Sequence, residues 1–129
     1  MSKKNQRKPW LRELVEFALD EDVNKEIEQQ KLILKDNPRS AKAHFDLAVL
    51  YYSQRRVSES ISEFETAIES DPSFACAHRK LGEVYINAGD YERAGRCAMK
   101  AAELGDRALL EMFERYPAFK QFIERPESE

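Results

Sequence analysis

Two observations predict an all-α protein built as a stack of antiparallel helix pairs. Between Ala41 and Pro72 the packing residues recur at helical spacing. His44, Leu47, Ala48 and Tyr51 fall at i, i+3, i+4 and i+7, and Ile61, Phe64, Ala67 and Ile68 lie on one side of a second helix. The same plan then recurs at the 34-residue interval that separates Pro38 from Pro72. Shifted forward, His44, Leu47, Ala48 and Tyr51 land on His78, Leu81, Gly82 and Tyr85; shifted back, His44 lands on Trp10 and Tyr51 on Phe17. Three copies of one unit therefore fill most of the chain.

Residues 1–8 read as a basic flexible arm. Pro9 opens a helix, because the first turn has N–H groups without partners and loses nothing to proline. Trp10, Leu14 and Phe17 form one stripe on it, with Leu11, Val15 and Ala18 beside them, and the spacing predicts that it stops near Asp20. A second helix follows over 22–36, with Val23, Ile27 and Leu34 inward and Glu28, Gln29, Gln30 and Lys31 outward. Asn37-Pro38 breaks it, since the residue before proline is pushed out of helical geometry. Residues 9–40 are thus a degenerate first copy. The central copy, 41–74, has helices at 41–53 and 57–70 around Gln54-Arg55-Arg56, and Asp71-Pro72-Ser73 repeats the break. The third copy, 75–108, has helices at 75–88 and 91–104; Gly89 supplies a left-handed turn and Asp90 caps the next helix.

From Arg107 the pattern changes. Leu109, Met112, Phe113 and Tyr116 again run at i, i+3, i+4 and i+7, as a helix would that covers the face left open by the last repeat. Pro117 interrupts it, and Phe119, Phe122 and Ile123 form a short apolar turn that either folds back on the cap or inserts into another molecule. Residues 109–125 are assigned to this capping helix and turn, and 126–129 to an acidic tail.

The spacing resembles the tetratricopeptide repeat, whose pattern is W-x2-L-G-x2-Y, then A-x3-F, then P, on a 34-residue period. The third copy carries His78-x2-Leu81-Gly82-x2-Tyr85, then Ala94 and Ala101; the second carries His44-x2-Leu47-Ala48-x2-Tyr51, Ser60-x3-Phe64, Ala67 and Pro72. The first keeps Trp10, Phe17 and Pro38 but has Glu13, Leu14, Glu26 and Gln30 in the other slots. Ala98 stands where Phe is expected, which predicts looser packing of the last helix of the third copy. The resemblance implies a right-handed superhelical stack serving as a protein-interaction module, with a concave groove lined by the first helix of each repeat.

Composition narrows the function classes. Lys plus Arg number 21 against 24 Asp plus Glu, for a net charge of −3. Lys3, Lys4, Arg7 and Lys8 hold four of those cations, so the chain from Pro9 onward carries 17 basic against 24 acidic side chains. That balance argues against nucleic acid as a partner. No apolar run reaches membrane-spanning length or follows the basic arm as a signal sequence would, so the reading is no membrane and a cytoplasmic setting. Cys76 and Cys97 match no metal or redox spacing, and His44 and His78 stand in the packing slot of Trp10, so no metal and no cofactor is expected. No phosphate loop, nucleophile elbow or HExxH is present, and the reading is that the protein is not an enzyme.

What remains is the surface that stacking leaves free. Under the resemblance the groove stripe of the central copy is Lys42, Phe45, Asp46, Val49, Tyr52 and Ser53, and that of the third is Cys76, Arg79, Lys80, Glu83, Ile86 and Asn87. The partner-binding candidates are Lys42, Phe45, Asp46, Val49, Tyr52, Arg79, Lys80, Glu83, Ile86 and Asn87. Aromatic and aliphatic side chains flanked by Arg79 and Lys80 suit a protein or peptide segment with apolar anchors and an acidic group. The competing reading packs Phe45 and Tyr52 against Leu11, Val15 and Leu19; either way burial stabilises each side chain by roughly 1.5–3 kcal/mol. The carboxylate clamp by which some members grip chaperone tails would fall on Leu11, Val15, Asp46, Cys76 and Lys80, of which only Lys80 carries a suitable charge. The alternative function is structural: a homo-oligomer assembled through the open face of the first copy or through Phe119 and Phe122.

Overall fold

The computed structural model describes the backbone of residues 9–124 and the side chains of residues 19–124. Within them the chain forms seven helices and no strand: α1 Pro9–Asp36, α2 Ala41–Ser53, α3 Val57–Ser70, α4 Ala75–Asn87, α5 Tyr91–Glu103, α6 Ala108–Arg115 and α7 Pro117–Lys120. The order is a long single helix, two helix pairs, α2 with α3 and α4 with α5, and a short C-terminal closure. The basic arm and the acidic tail lie outside the described residues, as do the side chains of Trp10, Leu11, Leu14, Val15, Phe17 and Ala18.

Local chemistry repeats with the sequence period. His78 Nε2–H donates to the Pro72 carbonyl at 3.1 Å, and His44 Nε2–H to the Pro38 carbonyl at 2.8 Å. Each histidine thus ties the first helix of its pair to the loop six residues earlier. The expected packing role holds for the buried His78, with a hydrogen bond added, while His44 also places Nδ1 2.7 Å from Glu63 Oε1 on α3. Ser40 Oγ accepts from the Ala43 N–H at 3.1 Å to cap α2, and Asp90 Oδ1 accepts from the Arg93 N–H at 3.1 Å to cap α5. The turn inside each pair needs a left-handed residue. Gly89 supplies it at φ 82° between α4 and α5, and Arg55, one period earlier, adopts φ 62° between α2 and α3.

The same slot in the first copy explains the main departure from expectation. A break near Asp20 was expected, but α1 runs unbroken for 28 residues. The position one period before Arg55 is Glu21, a good helix former flanked by Asp20 and Asp22, with no glycine or proline to turn the chain. The first copy therefore contributes one helix where the others contribute two.

Two apolar clusters hold the stack together. Ile27 of α1 is buried against Leu47 and Tyr51 of α2, with Val23, Leu34 and Leu50 around them. The larger cluster joins Ala48, Phe64, Leu81, Val84, Tyr85, Ala94, Ala98, Leu109 and Phe113, spanning α2 to α6. The looser packing expected at Ala98 is not found. Ala94, Ala98 and Ala101 are fully buried, and Phe113 of α6, also fully buried, supplies the aromatic ring to the same cluster. Close approach is enforced at Gly82, where a Cβ would lie 2.5 Å from Leu109 Cδ2.

The apolar turn folds back. Phe119, Phe122 and Ile123 pack on the larger cluster, the Tyr91 ring lies tilted against Phe119 at 5.2 Å and against Phe122 at 5.6 Å, and the Phe122 carbonyl lies so close to α5 that a Cβ on Gly95 would collide with its oxygen. Of the two readings of that turn, the first describes this structure.

Candidate peptide-binding groove

The candidate stripe starts at the first turn of α2. Phe45 is half-buried and sits between two rings, edge-on to Phe64 at 5.6 Å and tilted against Phe74 at 5.0 Å. Phe64 is fully buried in the core, so it fixes Phe45 from behind. Phe74 takes the N-cap position of α4, where it makes no side-chain capping bond. One period earlier that slot holds Ser40, which does cap its helix. An aromatic residue in a capping slot forgoes about 1 kcal/mol of cap stabilisation. Here it gains a ring contact and walls a cavity.

That cavity, about 410 Å³ and open to solvent, is lined by Ala41, Lys42, Phe45, Asp46, Asp71 and Phe74. It brings together three predicted residues, Lys42, Phe45 and Asp46, with two that the sequence reading passed over. Asp71 and Phe74 are the two ends of the 71–74 connection between α3 and α4, whose Asp71-Pro72-Ser73 reads in sequence only as a helix break. The available signal was Phe74 itself, an aromatic where the previous repeat has serine. At the rim of the cavity Lys42 Nζ donates to Asp46 Oδ2 at 2.7 Å. Asp71 Oδ1 accepts from the Ser73 N–H at 3.1 Å and from Ser73 Oγ–H at 2.8 Å, an Asx-type turn that shapes the loop.

The remaining candidates do not line the cavity. Tyr52 is half-buried, and its hydroxyl accepts from Asn87 Nδ2 at 2.6 Å, which links the ends of α2 and α4. Val49, 39% exposed, is the open apolar member of the stripe, while Ile86 is half-buried against the larger cluster. Arg79 donates through Nε to Asp106 Oδ2 at 2.7 Å, through an Nη to Glu83 Oε2 at 2.9 Å and through the other Nη to Cys76 Sγ at 3.6 Å. The Asp106 bond is the main reason its guanidinium is held even more firmly protonated than usual, and the same bond holds the Asp106 carboxyl below its ordinary range. Asp106 Oδ1 also accepts from the Ala108 N–H at the start of α6. Arg79 is thus an internal clamp from α4 to the α5–α6 loop. Lys80 Nζ stands 3.6 Å from Glu83 Oε1. Phe45 and Tyr52 pack on the α2–α6 cluster; of the alternative partners Leu19 is 57% exposed, and the side chains of Leu11 and Val15 fall outside the described residues.

Among the described residues no group of three or more His, Cys, Asp or Glu side chains could hold a metal ion, and no helix is long and apolar enough to cross a membrane. Burial pushes the Cys97 thiol up to about 11, which leaves it protonated at neutral pH. The cavity and the exposed Val49 lie along α2 and the loop into α4.

Comparison with known proteins agrees with this architecture. The tetratricopeptide repeat family model matches residues 31–73 and again 47–118. The chain is 23% identical over 129 aligned positions to the antiviral innate immune response effector IFIT1 of Macaca fascicularis, covering 81% of this chain and 27% of that protein. It therefore spans about a quarter of the length of that relative. Among solved structures, the TPR2B domain of yeast Sti1, in its complex with pHsp70, superposes with a TM-score of 0.64 at 19% identity over 84% of this chain and 85% of that one. MamA superposes with a TM-score of 0.63 at 22% identity, over 78% of this chain and 56% of that one. At those identities the superpositions speak for the fold. The family model spans well over half of the sequence, the helix pairs follow its period, and the chain belongs to the tetratricopeptide repeat family.

Proposed function

We propose that this protein is a non-enzymatic interaction module that holds a segment of a partner protein in the concave groove along α2 and α4, with the Phe45–Phe74 cavity as its anchoring point. The observation that carries the reading is that cavity: an open space of about 410 Å³ whose walls include two aromatic rings, Phe45 packed on the buried Phe64 and Phe74 packed on Phe45. Exposed Val49 continues an apolar track away from it. A similar fold, the Sti1 TPR2B domain, is solved with a bound partner, and that supports peptide capture as the use of this surface. Scaffold or adaptor roles in the cytoplasm follow from the same reading. An acidic group on the partner, suggested by Arg79 and Lys80, would compete with Asp106 and Glu83 for those cations, so the cavity and the exposed Val49 carry the proposal.

The test is affinity capture from native lysate with wild type, Val49→Glu and Ala41→Trp. Both changes alter the track or the cavity mouth without entering the core. Proteins retained by wild type and lost by both variants, at unchanged helical circular dichroism, are the expected result. Equal recovery by all three would remove the groove from the function.

A second reading is self-assembly. Leu19, Leu32 and Ile33 of α1 are 57%, 62% and 47% exposed, apolar side chains that a second copy of the chain could cover. A sedimentation mass that stays at the monomer value across concentration would eliminate it.

A further inference from the structure

Resting on the groove reading, we infer that the Phe45–Phe74 cavity takes a cationic side chain, the Lys or Arg of a basic partner segment. Its lining is two rings, two carboxylates and one ammonium: Phe45, Phe74, Asp46, Asp71 and Lys42, with Ala41 between them. Lys42 does not balance both carboxylates. Its ammonium is bound to Asp46 at 2.7 Å, on a side chain 82% exposed, so it lies at the rim. Asp71 accepts only from the neutral Ser73 groups, and no Lys or Arg among the described residues forms an ion pair with it.

Three occupants compete, and charge decides between them. A partner carboxylate would enter beside Asp71, whose charge no cation among the described residues balances, and that repels it. A purely apolar side chain would fit the rings but would strip water from Asp71 and return no bond, a cost borne by any buried unpaired carboxylate. A Lys or Arg satisfies both walls. Its alkyl stem packs on the aromatic wall that Phe45 and Phe74 supply, and its N–H groups donate to the free oxygen of Asp71. Arg79, the cation nearest in sequence, is unavailable for this role because Asp106 and Glu83 already hold it.

Asp71→Asn isolates the charge. The amide oxygen still accepts from the Ser73 N–H, so the loop keeps its turn while the carboxylate is lost. A random dodecapeptide library displayed on phage is selected on immobilised wild-type protein, and the best peptide, fluorescein-labelled, is titrated by fluorescence polarisation. The expected peptides share a Lys or Arg beside an apolar residue and lose affinity about fivefold on Asp71→Asn. Replacing that peptide Lys or Arg by Gln should cost the same on wild type and little more on the variant. If the selected peptides are acidic or uncharged, or bind Asp71→Asn as tightly as wild type, while Val49→Glu still abolishes binding, the cationic occupant is wrong and the groove stands. If no peptide is enriched, or Val49→Glu and Ala41→Trp bind as wild type does, the groove itself fails and this inference with it.

Discussion

His78 shows how one side chain can meet two demands of a repeat. Its ring fills the slot occupied by Trp10 in the first copy, and its Nε2–H satisfies the Pro72 carbonyl at the break between pairs. Replacing it by Leu keeps much of the packing and removes the donor. The expected outcome for His78→Leu is a loss of about 1 kcal/mol in urea unfolding, the usual net worth of one such bond. Unchanged stability would mean that water serves the carbonyl equally well. In sequence the histidine's burial was legible because it falls in a packing register; its bond was not, because the carbonyl it meets belongs to a loop whose path no periodicity fixes. The same limit hid Asp71 and Phe74. A loop residue becomes part of a site through where the backbone carries it, whereas a helix residue declares its face by spacing. Phe45 and Tyr52 stood on the expected stripe, yet their ties to Phe64, Phe74 and Asn87 make them structural as well as surface residues.

At the scale of elements, α2 to α6 follow the apolar period, since the sequence states outright the stripe and the breaks of each, and for α2 and α5 the capping residues Ser40 and Asp90 as well. α1 departs because the turn slot holds Glu21, and a missing breaker is a weaker signal than a present one. The α5–α7 contact was legible only in part. The apolar turn could be seen, but its landing place depends on Gly95, an ordinary helical glycine until the Phe122 carbonyl is found against it. Gly95→Ala sets two effects against each other. Alanine favours a helix interior by about 1 kcal/mol over glycine. Its Cβ, however, would collide with the Phe122 backbone, and backbone held by the Phe122 N–H to Phe119 carbonyl bond at 3.0 Å cannot step aside as a side chain would. Displacing Phe119, Phe122 and Ile123 forfeits burial of roughly 1.5–3 kcal/mol for each side chain fully released. The larger effect wins, so the variant should be less stable, and chymotrypsin should cut it after Phe119 or Phe122 well before it cuts wild type. Slower cleavage together with a higher Tm would show that the turn absorbs the methyl group.

The molecule as a whole is a one-dimensional stack, and α2 is where its two clusters meet. Leu47 and Tyr51 face α1, while Ala48 belongs to the cluster that runs on to α6. In such a stack each unit is stabilised by its neighbours alone, and the end with the smaller interface opens first. The C-terminal end is closed by Leu109, Phe113 and the folded-back turn, whereas Ile27 is the one fully buried α1 side chain among those described. Truncating it should therefore loosen one end of the protein and leave the rest intact. Ile27→Ala, a change that typically costs about 2–4 kcal/mol at a fully buried site, should bring the amides of residues 22–36 into rapid hydrogen exchange. Protection in α4 and α5 should stay near its wild-type level. The proposed groove binding, which would use α2 and the loop into α4, should also survive, because neither Ile27 nor the cluster around it lines the cavity. A uniform fall in protection from α1 to α6 would instead make the whole chain one cooperative unit. In that case the first helix would support the recognition surface, and a partner binding at Phe45 would tighten α1 in return.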